Sequence, residues 1–264
     1  FLWMVVMEFR DIEYKVASKE LSKKMKRREL ILGCIGAVVL PSVHSCVANA
    51  GIRELTSIPL PKGFQYPNGI IRSSNGTVYL GSIISDRILQ ISQAGKIKTF
   101  FPGDKDIFAV TSLRLDEARG ILWGASPDVL GTAGKQHRIF AIDINSNKVL
   151  QIITIPDGGF GNDIAVDSQG GVYITDSLLP RIHYLPPGAT QLQTWVENQL
   201  FRTGKRFGLS GIALRGDGVL FVTMYSDGRL FKVTPNRTVE EIELPRKIDG
   251  SDALSEAHRR YRFS

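Results

Sequence analysis

Cysteine is nearly missing from this chain: there are two in 264 residues, Cys34 and Cys46. Both lie in an N-terminal stretch that reads as an export signal. The domain that follows is cysteine-free, so no disulfide framework holds it. A bilayer-spanning run is missing too, because the apolar stretch Leu30–Leu40 is too short to cross a membrane. Charge of one sign is not in large excess. Of 33 Lys/Arg and 26 Asp/Glu, residues 1–50 hold 8 and 5, which leaves 25 and 21 and a net charge of +4. Three of those basic residues, Arg259, Arg260 and Arg262, sit in the last few positions. The body is close to neutral and carries no basic stripe, which excludes an electrostatic case for nucleic acid as a partner.

What is present begins with an address. The chain opens on Phe1, and its best internal start is Met25. Lys26, Arg27 and Arg28 form a basic segment, Leu30–Leu40 an apolar one, and Ala48-Asn49-Ala50 a small-residue cleavage site. That is the tripartite layout of a secretory signal. The Arg27-Arg28 pair fits twin-arginine export and general secretion alike. A lipoprotein reading through Cys46 is weakened by His44. The expected organisation is an upstream extension at 1–24 that belongs to no fold and a signal peptide at 25–50. A β-propeller follows at 51–255, then an aberrant tail at 256–264. The mature product is expected to be periplasmic or secreted, with no stable membrane span after cleavage.

The propeller expectation comes from a repeat. Four segments run from a polar residue through an apolar strand and a glycine turn to an aromatic: Asn68 to Tyr79, Thr111 to Trp123, Asn162 to Tyr173 and Ser210 to Phe221. Their turn glycines, Gly76, Gly120, Gly170 and Gly218, are spaced by 44, 50 and 48 residues. Arg87, Arg138, Arg181 and Arg229 each open a third strand 11, 18, 11 and 11 residues after those glycines. A fourth strand follows, as at Lys96–Phe101 and Leu192–Val196. Short alternating strands between Gly, Asn and Asp turns predict antiparallel four-stranded sheets. Such sheets bury both faces only by stacking around an axis as all-β blades. Tyr79, Trp123, Tyr173 and Phe221 then fill the spaces between blades, and the arginines are turn-bonding or surface residues.

The ends depart from the repeat. Ile52–Leu60 has outer-strand character and is expected to be a closure strand. Ile248–Leu254 re-enters the inner-strand pattern, after which the register is lost at Glu256–Ser264. A frameshift or premature stop is the expected cause.

The segment Gly161–Asp167, with Gly170 and Val172–Asp176, resembles the third-blade signature of the senescence marker protein (regucalcin)/gluconolactonase/luciferin-regenerating enzyme family. Paraoxonase-like propellers carry a similar Asn-Asp-Ile segment, and the blade repeat by itself also fits NHL-type propellers. The resemblance covers residues 52–255. It implies a six-bladed fold, here with four blades complete, and a metal-dependent lactonase or esterase. Calcium is the implied cofactor, with zinc as the alternative, and the implied partner is a small-molecule lactone or ester.

Inner strands converge on the channel mouth, where a hard cation takes oxygen ligands and polarises a carbonyl. The resemblance implies one Glu, two Asn and one Asp as ligands. Carried over by position, those slots hold Asn68, Asn162, Ser210 and Asp252, and Asp252 also carries the implied catalytic role. Asn162 and Asp252 match the family; Asn68 and Ser210 depart from it. Asp163 and Thr111 are further candidate oxygens. Asn162 and Asp163 also suit an Asx-type turn capping the strand. His183 reads as a half-buried mid-strand residue, and no paired nucleophile accompanies it.

Two loops, Ser126–His137 and Glu197–Phe207, are expected on the mouth face, where they would rim a substrate site. Two functions are therefore expected in competition. One is an exported, metal-dependent lactonase or esterase of the gluconolactonase type, impaired by truncation and by its ligand changes. The other is a non-catalytic, NHL-like propeller acting as a binding or interaction module.

Overall fold

The structure is a computed structural model that describes residues 58–129, 134, 136–204, 207–248 and 250–254. The upstream extension, the signal peptide, the tail at 256–264 and most of the closure strand lie outside the described residues. Residues 13–64 group apart from the rest. Of that unit only 58–64 are described, a short stretch with a turn in which Phe64 N–H donates to Pro61 O at 3.0 Å.

From Gln65 onward the chain builds four blades, each one sheet of four antiparallel strands in chain order. Blade 1 is β1 (Pro67–Arg72), β2 (Val78–Ser82), β3 (Ser85–Ile91) and β4 (Ile97–Phe101). Blade 2 is β5 (Ser112–Asp116), β6 (Ile121–Ser126), β7 (Arg138–Asp143) and β8 (Val149–Thr154). Blade 3 is β9 (Gly161–Val166), β10 (Val172–Asp176), β11 (Arg181–Leu185) and β12 (Gln193–Glu197). Blade 4 is β13 (Leu209–Leu214), β14 (Leu220–Met224), β15 (Leu230–Val233) and β16 (Val239–Ile242). Among the described residues no helix is long and apolar enough to cross a membrane.

The repeat has a backbone cause. Gly76, Gly120, Gly170 and Gly218 hold φ of +87°, +66°, +90° and +83°. Those values lie in the left-handed region that costs glycine least, so each inner hairpin turns at its glycine. The aromatic that follows packs towards the next blade. Tyr79 lies with Leu113, Leu122 and Phe140 of blade 2, and Trp123 lies with Ile164 and Val172 of blade 3. Tyr173 packs half-buried on a blade 4 cluster that includes Ile212 and Val222. Phe221 groups with Leu254 beyond blade 4. Fully burying a large apolar side chain is worth about 1.5–3 kcal/mol, so each of these contacts contributes to holding neighbouring blades together.

Inner strands pack in chain order, β1 on β5, β5 on β9 and β9 on β13. Residues 250–254 form no strand, yet they run where a next inner strand would lie. A Cβ on Gly211 would stand 2.7 Å from the backbone of Ala253 and Leu254, so only glycine permits that approach. Ser251 and Leu254 are buried there.

At the mouth end, three of the four inner pairings break register: between Asn68 and Ile70, between Ile174 and Asp176, and between Leu209 and Ile212. Blade 2 pairs without interruption from Ser112 to Asp116. Such irregularities re-aim side chains. They fall on the residues singled out as oxygen donors.

Candidate functional site

Asp163 is the hub of the axial end. Its Oδ1 accepts from Ser112 Oγ of β5 at 2.7 Å and from Ile164 N–H at 2.8 Å. Its Oδ2 accepts from Ile212 N–H of β13 at 2.9 Å. One carboxylate thus ties three consecutive inner strands. Arg114 of β5 runs alongside, with Nε donating to Ile164 O at 2.7 Å and Nη2 donating to Ile212 O at 3.3 Å. The Asx-type bond to Ile164 is present, but the role is wider than a turn cap. The broken register between β13 and β14 helps free Ile212 N–H for this carboxylate.

The four expected metal ligands meet different fates. Asn68 Oδ1 accepts from Gly69 N–H at 2.8 Å. Asn162 Nδ2 donates to Ser177 Oγ at 2.8 Å, and Ser177 in turn donates to Leu209 O at 2.6 Å. That chain leaves the Asn162 carbonyl oxygen unused among the described residues. Ser210 is fully buried, and its Oγ donates to Ser251 O at 2.5 Å and lies 3.0 Å from Thr223 Oγ1. Thr111 Oγ1 faces Ala125 O at 3.4 Å.

Asp252 is half-buried, and its carboxyl is pushed up to about 6 by burial first and by the charge of Asp163 second. The structure therefore brings Asp252 and Asp163 into electrostatic reach. It commits Ser210 and Asn68 to bonds with their own surroundings. Among the described residues no three His, Cys, Asp or Glu side chains are grouped as a metal centre. Of the implied calcium or zinc set, Asn68 Oδ1 and Ser210 Oγ are bonded within the scaffold while, among the described residues, the Asn162 side-chain oxygen is not, and a hard cation draws on several oxygens at once.

A second feature occupies the same face. Strands alternate in direction, so the loop before β7, the approaches to β9 and β13 and the exit from β14 all emerge at the mouth. Four rings from those places touch in sequence. His137 and Phe160 have centroids 4.8 Å apart, Phe160 and Phe207 5.6 Å, and Phe207 and Tyr225 6.3 Å. Phe160 is buried and the other three are half-buried. The row crosses blades 2, 3 and 4 and joins the two loops expected to rim a site. A shallow cavity of about 100 Å³ beside it is lined by Ser177, Leu179, Pro180, Phe201 and Gly208. Ligand pockets usually exceed about 300 Å³, so this cavity by itself is small for one.

The third blade supports this row from beneath. Asp176, fully buried, accepts from Phe160 N–H at 2.9 Å and from Leu178 and Leu179 N–H at 3.0 and 2.9 Å. His183 Nε2 lies 2.9 Å from Asp176 Oδ2, and Arg181 Nε lies 3.7 Å from the same oxygen. Burial works to raise the Asp176 carboxyl, but His183 and the backbone donors outweigh it and hold it below the usual carboxylate range. His183 is thus not the half-buried strand residue its position suggested; it is fully enclosed.

The strand-opening arginines hold loops. Arg138 Nη1 donates to Asp106 O and Oδ1, both at 2.9 Å. Arg181 Nη1 donates to Asp157 Oδ2 at 2.9 Å, and Arg229 donates to Leu200 O and Arg202 O, both at 2.9 Å.

No family model matches the sequence, and no curated protein matches it. Among solved structures the chain is similar to selenomethionine-substituted virginiamycin B lyase from Staphylococcus aureus, with 20% identity and a TM-score of 0.54. That match covers 70% of this chain and 57% of the other. A streptogramin B lyase gives 21% identity and a TM-score of 0.57 over 71% of this chain and 58% of the other. A chain of a nidogen/laminin complex gives 16% and 0.61 over 76% and 72%. This chain spans less than two thirds of the length of either lyase. At such identities the likeness is one of fold. The class is the β-propeller in general, and the comparisons do not single out the gluconolactonase family.

Proposed function

We propose that the mouth face of blades 2–4 binds a small cyclic ligand of the lactone or ester class, and that the chain acts as a binding propeller. The observation that carries this reading is the contiguous row His137–Phe160–Phe207–Tyr225 on the face where the inner strands begin. Half-buried rings offer apolar area at little entropic cost, and flat ligands stack on them. Of the oxygens that the resemblance implies as ligands, Asn68 Oδ1 and Ser210 Oγ are bonded within the scaffold, which favours binding over Lewis-acid chemistry. Phthalide, a flat bicyclic lactone, is a suitable probe by ligand-observed NMR. Phe207→Ala is expected to weaken its binding about tenfold without hydrolysis of the probe. Equal affinity in the variant and the wild type would remove the row as the binding face.

One observation favours the hydrolase reading. Asp252, with its carboxyl pushed up to about 6, has the proton affinity that suits general acid–base work near neutral pH. Under that reading the chain hydrolyses an ester such as phenyl acetate with a rate that rises through pH 6, and Asp252→Asn abolishes the rise. Export through residues 25–50 belongs to both readings and is tested by N-terminal sequencing of exported protein. A first residue of Gly51 supports it, and a first residue of Met25 counts against it.

A further inference from the structure

One ring in the row, the imidazole of His137, carries a polar group whose direction its hydrogen bonding fixes. Asp128 N–H donates to His137 Nδ1 at 2.9 Å. A nitrogen that accepts from a backbone amide carries no proton, so the imidazole proton sits on Nε2. The backbone of His137 is pinned as well, because Ile155 N–H donates to His137 O at 2.8 Å and Ile155 is buried. The ring packs on Phe160. Three contacts thus fix its tautomer, its backbone and its plane, while among the described residues nothing takes up Nε2.

Resting on the ligand-binding reading above, we propose that His137 is the polar anchor of this face, its Nε2–H donating to the carbonyl oxygen of a cyclic lactone or ester lying against Phe160 and Phe207. A neutral imidazole suits that role. It offers one hydrogen bond of defined direction without the desolvation cost of burying a cation against apolar rings. Protonation would put a second N–H against the Asp128 amide, donor against donor. Burial also lowers the imidazole's proton affinity, and this outweighs the nearby charges of Asp128 and Asp176. One N–H donor beside an aromatic ring suits an acceptor oxygen on a flat ligand, as a lactone carbonyl is.

The test pairs two probes of one skeleton: phthalide, which has the lactone carbonyl, and phthalan, which has a methylene in its place. Wild-type protein is expected to bind phthalide about five- to tenfold more tightly, the value of one net hydrogen bond. His137→Phe, which keeps a ring on Phe160, should bind the two probes equally, close to the wild-type affinity for phthalan. His137→Gln should restore part of the preference. Equal binding of both probes by the wild type would overturn the anchor and leave the aromatic face standing. Failure of both probes to bind would remove the face and the anchor together. Independently of any ligand, ¹⁵N NMR of histidine-labelled protein, with the His137 signal identified by its loss in His137→Phe, should show the proton on Nε2. A proton on Nδ1 would overturn the proposal.

Discussion

His183 and Asp176 form a fully enclosed pair, Nε2 to Oδ2 at 2.9 Å, inside the third blade. The same carboxylate fixes Phe160 and the turn at Leu178–Leu179. Arg181 Nε also lies 3.7 Å from Asp176 Oδ2, and removing one partner of a buried ion pair costs about 3–5 kcal/mol. Asp176→Asn should lose that much in urea denaturation and weaken probe binding through Phe160. Because the folded-state carboxyl is held below its ordinary value, this stabilisation is present above that value, near 3.8, and is lost as pH falls through the depressed one. A loss under about 1 kcal/mol would show that the pair is dispensable.

Asp252 behaves in the opposite sense. Its folded-state value of about 6 lies above its ordinary 3.8, so the fold tolerates the protonated form better than the ionised one. Stability from this group is full below about pH 4 and is lost as pH rises through 6. Asp252→Asn should therefore match the wild type in acid and exceed it at pH 7 by about 1–3 kcal/mol, since each tenfold change in proton affinity is worth about 1.4 kcal/mol. Thermal melts of the two proteins at pH 4 and pH 7 decide this. A constant difference across that range would refute it.

Ser210→Asn, which would place at that slot the residue the resemblance implies, should harm rather than help. Ser210 is fully buried, and overpacking a filled site costs about 1–3 kcal/mol. Ser210→Ala should cost about 1 kcal/mol through the lost bond to Ser251 O. The melting temperature should fall more for Asn than for Ala, and calcium titration should give the same result before and after. A gain in calcium affinity in Ser210→Asn would reinstate the slot as a ligand position.

Arg114→Met removes the donors to Ile164 O and Ile212 O. Each bond to a charged donor is worth about 1.5–3 kcal/mol. Faster hydrogen exchange at Ile164 and Ile212, in step with the lower stability, is the expected reading. Unchanged exchange at both amides would show that Arg114 carries no load between blades.

The blades were legible because their causes are periodic. A left-handed turn needs glycine, and an inter-blade space needs an aromatic, so Gly170 and Tyr173 recur in phase with their counterparts. The site was legible only in outline. Asn68, Asn162 and Ser210 sit at one repeat position, yet broken register at three mouths gives each a different surrounding, and position no longer reports role. His183 looked like an ordinary strand residue because its partner Asp176 is reached across the β10–β11 hairpin. Phe160 and Phe207 stand outside the repeat, so their meeting needed the topology. The signal available in sequence was the shared face of the two loops that end at His137 and Phe207.

The carboxylate of Asp163 has a consequence for how such a chain can change over generations. A tandem repeat invites duplication, deletion and exchange of whole units. Here one side chain from the third unit is shared with a hydroxyl from the second and an amide from the fourth. Excising or transplanting that unit would strand Ser112 and the Ile212 amide, and would carry an unanswered acid into its new setting. The interchangeable part is therefore not the blade. What Asp163 holds together is longer than one blade, running from β5 to β13.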